Sequence, residues 1–499
     1  MSFASLPFIA FVACTLLLFN IMPARVRWLV LLLASYLFYA SFKVPYLLLS
    51  LVAVTAISYA SGLLVHRTPE PNARLLWMWA GVLGNLSLLF WLKYLPFAAG
   101  NANVALEALS LQFRFPALQV LMALGVSYYV FQAISYIIDI YLEVIEPERH
   151  PGYFSLSLGF FPKLLQGPIE RSGNLLPQLR ELSRTSASSL RSGVNLFLWG
   201  VFKKVVIADR LATIVDPVYG NVHDYQGLSL VVATYLFALQ LYFDFSGYTD
   251  MALGIGRLFN IRLTPNFNAP YLATSTADFW RRWHISFSSW ILDYIFKPLQ
   301  FSLRDWPRWG VPAALMVTFL VSGIWHGASW CFVAWGGFHG FYLAAGVLFK
   351  KSRVKLCKRL GIEKSAVLRQ WQKFVTFHLV CFSWIFFRAA SIDDAIYVAT
   401  SSLLDLPASL TLLAGEGAFL EHLTLGKPAA ELLFALALAA AAAMLGHLDL
   451  QSKQKDPGLE DLAFLHKLPF WGSAIAYGTI FYLITICGLS AKGFLYQQF

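Results

Sequence analysis

LYFDFSGYTDMALGIGRLFN (Leu241–Asn260), STADFWRRWHISFSSW (Ser275–Trp290), SGIWHGASW (Ser322–Trp330) and WGGFHG (Trp335–Gly340) follow one another in a single stretch. It holds His284, His326 and His339, the pair Arg281 and Arg282, and the acids Asp244, Asp250 and Asp278. Long apolar runs flank it, such as LVLLLASYLFYASF (Leu29–Phe42). An Asp or Arg near a bilayer centre costs at least ~2.5 kcal/mol, so a polar crowd between apolar runs marks a functional region.

The 499 residues are 58% hydrophobic and only 13% charged, where a soluble chain carries about 25% charged residues. Runs of ~17–25 apolar residues have the length of membrane helices. Backbone groups in lipid must be satisfied within the segment or in a closed barrel, and a barrel would alternate every second residue. These runs do not alternate, so the expected fold is an all-α polytopic membrane protein. One membrane domain is expected over residues 1–499, with about 11–12 transmembrane helices plus re-entrant and interfacial helices, and a core at about residues 118–349.

The net charge is +11. No basic face alternates with exposed aromatics, which argues against a nucleic-acid partner. The cations cluster between apolar runs, as in KKSRVKLCKRL (Lys350–Leu360), and read as cytoplasmic loops under the positive-inside tendency. That bias places Arg25, Arg67 and Lys350–Arg359 inside and the N-terminus outside. Cys14, Cys331, Cys357, Cys381 and Cys487 are scattered without a CxxC, so neither a disulfide framework nor a zinc knuckle is expected. The apolar run continues past Cys14, so Cys14 is read as part of a helix rather than a processing site.

In chain order, membrane runs are expected at Leu6–Met22, Trp28–Ser41, Tyr46–Leu64, Leu75–Phe97 and Leu118–Tyr141. GYFSLSLGFFPKLLQGPIER (Gly152–Arg171) is broken by Gly159, Pro162, Gly167 and Pro168 and is expected to be re-entrant and to line a cavity. Val194–Leu211 carries Lys203 and Lys204, and Leu228–Phe245 is a clean span, after which Gly247, Gly254 and Gly256 are expected to loosen the chain. Ser275 and Asp278 have capping-box spacing, and the helix they open is expected to reach about Leu299. Trp280, His284 and Ser288 would then share one face, and Asp278 would pair with Arg282 at i,i+4. Val311–Trp325 and Trp330–Phe349 are separated by a short break, and Phe374–Phe387, Leu432–Leu445 and Phe470–Leu489 complete the set.

His326 is the leading chemical candidate, in a helix break bracketed by Gly323 and Gly327. An imidazole titrates near ~6.5 and can take a hydroxyl proton and return it. The plainer alternative is a helix-end histidine bonded to a carbonyl. His284, beside Arg281 and Arg282, is a second acid/base, a holder of a donor's phosphate, or packing. His339 reads more readily as a backbone-bonded histidine in a tight helix contact. Asp244 and Asp250 either orient a histidine or line a polar path, or form ion pairs with Arg257 or Arg281. The histidines lack HExxH spacing, so no metal is expected. P-loop, GxSxG and GxGxxG patterns are missing from the sequence.

LYFDFSGYTDMALGIGRLF, NFNAPYLATSTADFWRRWHISFSSWILDYIF and SGIWHGASW resemble the membrane-bound O-acyltransferase family. SYYVFQAISYIIDIY, FFPKLLQGPIER and VFKKVVIADRLA are similar to its bacterial alginate O-acetylation branch. The resemblance implies a ring of helices around a thin centre, with funnels from both faces, in a multi-pass protein of the bacterial inner membrane. It implies transfer of an acetyl group from a cytoplasmic thioester, acetyl-CoA or another, with no bound cofactor. The acceptor would be a hydroxyl of an exported polysaccharide such as alginate, or an extracytoplasmic partner protein that completes transfer. The family's invariant histidine corresponds to His326 and its second polar position to His284. Arg281, Arg282, Asp244, Asp250 and Trp280 would lie along the donor path. D-alanyl transfer to a teichoic-acid polymer is the nearest alternative chemistry, and a transporter without bond-making the alternative class. The sequence departs from the alginate branch in its polar loops and in Ala408–Lys427.

Overall fold

The structure, a computed structural model, describes residues 1, 3–116, 123–411, 422–455, 462 and 469–488. The start of the run expected at Leu118, residues 412–421 within Ala408–Lys427, and Leu489 lie outside the described residues. Among the described residues every regular element is a helix. Pro45–Arg67, Pro71–Ala108, Leu228–Leu258, Trp330–Leu348 and Ala429–Lys453 are long and apolar enough to cross a membrane, and Leu6–Ile21, Gly310–His326 and Trp471–Cys487 are shorter apolar helices. The burial pattern is that of a protein in lipid. Leu6, Leu17, Leu37, Leu49 and Trp91 are exposed, while Ser58, Asn85, Gln132 and Lys204 are buried. A lipid-facing surface prefers Leu, and polar groups must then find partners inside.

The helices fall into two compact units, Met1–Phe197 with Thr249–Pro265, and Leu198–Tyr248 with Asn266–Phe499. In the first unit polar side chains join the apolar helices from within. Asn85 donates to the Ser58 hydroxyl at 2.9 Å, and the Ser50 and Tyr129 hydroxyls meet at 2.7 Å. Every residue from Leu156 to Glu170 is buried, so this broken segment is packed within protein. Its irregular backbone is tied down by side chains. Lys163 Nζ donates to Gln132 Oε1 at 2.5 Å and to the Leu158 carbonyl at 3.1 Å, and Gln132 Nε2 donates to the Ser157 carbonyl. Glu170 accepts from Asn174 and from the Thr264 backbone.

Gly247, Gly254 and Gly256 do not loosen the chain: Leu228–Leu258 is one helix of 31 residues. The bare glycines serve close helix contact. A Cβ on Gly247 would stand 2.9 Å from the Gly200 carbonyl oxygen, and one on Gly254 only 2.6 Å from that of Gly193. Small residues that bring backbones together are the main packing device between membrane helices.

In the second unit Gly310–His326 and Trp330–Leu348 pack closely along their length. A Cβ on Gly323 would fall on the Phe332 carbonyl, and one on Gly336 on that of Phe319. Ser329 accepts a hydrogen bond from the Cys331 backbone and so caps the second helix, which fixes the turn between the two. That turn places His326.

Candidate active site

His326 is the last residue of its helix, and Gly327 leaves helical geometry at φ −168°. The imidazole is 5% exposed and boxed by aromatic rings. Trp335 stands at 4.8 Å and 86°, Phe387 at 5.2 Å and 76°, Trp325 at 4.8 Å and Phe287 at 5.7 Å between ring centroids. Ser322 lies one turn below His326 on the same helix. Its hydroxyl, the Trp335 indole nitrogen and the Trp384 indole nitrogen are buried without a hydrogen-bond partner among the described residues. An unused buried donor is costly, on the order of 1–3 kcal/mol. The Trp335 ring lies against His326 and the Trp384 ring stacks on Trp335 at 6.0 Å.

The helix expected from Ser275 to about Leu299 is broken. Ser275 caps Thr276–Trp280 by accepting from the Asp278 backbone, and the next helix is Ile285–Ile291, followed by a π-helical turn at Leu292–Phe296. His284 sits between them in the left-handed region, φ 44° and ψ 54°. A non-glycine residue there stores strain and persists only when its surroundings hold it. The holding partner is distant in sequence: the Ile285 backbone donates to the Asn266 carbonyl at 3.0 Å, and the Asn268 backbone to the Arg282 carbonyl at 2.9 Å. Trp280, His284 and Ser288 therefore do not share one helical face.

His284 is fully buried, with Nδ1 3.4 Å from Asn266 Oδ1. The same oxygen accepts from the Ser286 backbone at 3.1 Å and the Ser286 hydroxyl at 2.7 Å. A backbone N–H can only donate, so this fixes the amide's orientation. Any hydrogen bond from His284 to that oxygen then requires Nδ1–H and puts the ring's lone pair on Nε2. The His284 ring packs on Phe245 at 4.8 Å, Phe287 at 5.1 Å and Trp325 at 6.1 Å. Phe287 and Trp325 are stacked at 4.2 Å. His284 and His326 thus both contact one stacked aromatic pair, Phe287 and Trp325, which the sequence alone did not single out.

The remaining candidates divide. Trp280 and Arg281 line a cavity of about 290 Å³ with Ile285, Ser288, Phe319 and Leu343, and the Arg281 side chain is 73% exposed. Arg282 pairs with Asp278 at 3.0 Å, as its spacing predicts, and donates to the Asn268 carbonyl, so it fastens the broken helix. Asp244 accepts from Lys204 at 2.5 Å, and Lys204 also meets Asp209 at 2.8 Å. Asp250 belongs to the first unit and is half-buried. His339 is engaged at both nitrogens. The Trp280 indole, a donor only, reaches Nδ1 at 3.2 Å, so Nε2 carries the proton and donates to the Ser383 hydroxyl at 2.8 Å, which in turn donates to the Val380 carbonyl. That is a structural histidine.

Comparison with known proteins places this geometry in context. The profile of MBOAT, the membrane-bound O-acyltransferase family, matches residues 153–357. The chain is 35% identical to a probable alginate O-acetylase of Azotobacter vinelandii over 78% of this chain and 75% of that protein. It is 34% identical to a peptidoglycan O-acetyltransferase of Helicobacter pylori over 74% of this chain and 72% of that one. A teichoic acid D-alanyltransferase of Streptococcus thermophilus is 29% identical over 53% of this chain and 68% of its own length.

Proposed function

Since the chain belongs to the membrane-bound O-acyltransferase family and is an O-acyltransferase, we propose that it moves an acetyl group from a cytoplasmic thioester to a hydroxyl of an exported polysaccharide. The observation that carries the site is the pair His284 and His326 around Phe287 and Trp325. The acetyl chemistry is supported by the relatives, whose names give alginate O-acetylation and peptidoglycan O-acetylation. The D-alanyl relative matches less of the chain at lower identity, which favours acetyl over D-alanyl. The cell location that fits a cytoplasmic donor and an exported acceptor is the bacterial inner membrane. A periplasmic partner protein is a further acceptor consistent with this arrangement.

In this mechanism His326 takes the proton of the acceptor hydroxyl as its oxygen bonds to the acyl carbon. The carbonyl π electrons move onto oxygen. The Trp335 indole N–H and the Ser322 hydroxyl are the buried unused donors near His326 that can stabilise that oxyanion. The carbon–sulfur bond then breaks, and the thiolate leaves with the proton returned by His326. His284, in contact with the same aromatic pair, helps position the reacting groups. Arg281, exposed at the rim of the 290 Å³ cavity beside Trp280, is placed to meet an anionic part of the donor, such as the phosphates of acetyl-CoA. The aromatic box keeps water from the thioester.

The test is reconstitution of the purified protein in vesicles with labelled acetyl thioester and a polysaccharide acceptor. Label in the polysaccharide, or in an added periplasmic partner, supports acetyl transfer. Label carried across the vesicle wall as intact thioester or free acetate, with no new ester, identifies a transporter instead.

A further inference from the structure

The helix Lys350–Arg359 (KKSRVKLCKR) follows directly on the membrane-spanning helix Trp330–Leu348. It is exposed at every residue except half-buried Cys357. Six of its ten residues are cations, Lys350, Lys351, Arg353, Lys355, Lys358 and Arg359, and none forms an ion pair with a described residue. Between Phe349 and Arg388 the one acidic residue is Glu363.

Exposed apolar groups accompany the cations, two of them at the helix caps, Phe349 and Leu360. Phe349, Leu356 and Leu360 recur at i, i+7 and i+11 and so form one stripe, and they are 66%, 56% and 58% exposed. Lys351, Lys355 and Lys358 lie on the opposite side with Val354, and Arg353 lies beside the stripe. A second exposed apolar row follows on the first turns of Ala366–Arg388, at Val367, Trp371 and Phe374. Large apolar groups are thus presented outward beside unpaired cations, at the point where a span ends.

We propose that Lys350–Arg359 lies in the plane of the membrane surface and binds anionic phospholipid headgroups. Phe349, Leu356 and Leu360 enter the acyl boundary, and the six cations meet the lipid phosphates. An in-plane basic helix of this kind combines apolar burial with attraction to anionic lipid. An acidic soluble protein would satisfy the cations but leave the apolar stripe in water, which favours the lipid. Continuity with Trp330–Leu348 sets the helix at the right depth.

The test uses full-length protein with Cys357 as its one cysteine, labelled with a polarity-sensitive fluorophore. It is placed in nanodiscs of phosphatidylcholine alone or with phosphatidylglycerol added. Phosphatidylglycerol should shift the emission to the blue and expose the probe to lipid-borne quencher, and high salt should reverse both. Replacing Lys351, Lys355 and Lys358 with Gln should move the transition to a higher phosphatidylglycerol fraction, on the order of fivefold in apparent affinity per cation removed. These exposed positions leave folding intact, and the lipid comparison on the unsubstituted chain stands by itself. Emission independent of phosphatidylglycerol overturns the proposal. So does a probe that is shielded only when an acidic acyl-carrier protein is added.

Discussion

Replacing Asp244 with Asn separates a structural role from a place on the transfer path. Lys204 Nζ lies 2.5 Å from Asp244 and 2.8 Å from Asp209, and all three side chains are 2–3% exposed. Asp244→Asn keeps the shape and leaves Lys204 with Asp209. The loss is one charge-assisted hydrogen bond, about 1.5–3 kcal/mol. Lys204→Met removes the cation and leaves two buried carboxylates facing each other. Breaking a buried pair in this way costs about 3–5 kcal/mol, and a second carboxylate adds to it. The expected order of stability is therefore wild type, Asp244→Asn, then Lys204→Met well below. Unfolding of the detergent-solubilised protein, followed by fluorescence-detected size exclusion, gives the order. Acetyl transfer per folded molecule should stay near wild type in Asp244→Asn. A variant as stable as wild type but without transfer would return Asp244 to the transfer path.

Three further outcomes follow from the site. Arg281→Ala should raise the KM for the thioester about tenfold or less with little change in kcat, since the side chain is exposed at the cavity rim. His284→Ala should lower transfer strongly at unchanged membrane expression. Normal turnover would assign His284 to packing alone. Trp335→Phe keeps the ring against His326 and removes the N–H. Transfer should fall about 10²-fold in kcat if the indole donates to the oxyanion, and an unchanged kcat assigns that role elsewhere.

Much of this fold is legible in the sequence because its signals are local. The break after His326 is announced by Gly327 and by Ser329, whose side chain caps the next helix. The pair Asp278 and Arg282 follows from i,i+4 spacing alone. The errors arise where the partner is far along the chain. Ser275 and Asp278 correctly mark a helix start, but its end is decided by the Asn266–Asn268 strip that holds His284 in the left-handed region. Gly254 reads as a weak point until the Gly193 carbonyl against it is known. Lys204 in an apolar run signals a buried counter-charge without saying that Asp209 and Asp244 supply it. His339 reads in the sequence as a backbone-bonded histidine, but its partners are two distant side chains, the Trp280 indole and the Ser383 hydroxyl.

The central claim is that His326 is the base. General-base assistance is typically worth ~10²–10⁴-fold, because an alcohol is a poor nucleophile until its proton is taken. His326→Gln preserves approximate size and hydrogen bonding inside the aromatic box but cannot accept and return that proton. Transfer of labelled acetyl to the acceptor, measured on folded, membrane-inserted His326→Gln protein, should be lost while labelled donor still binds. A variant that binds donor and transfers acetyl at a rate near wild type would contradict the assignment of His326.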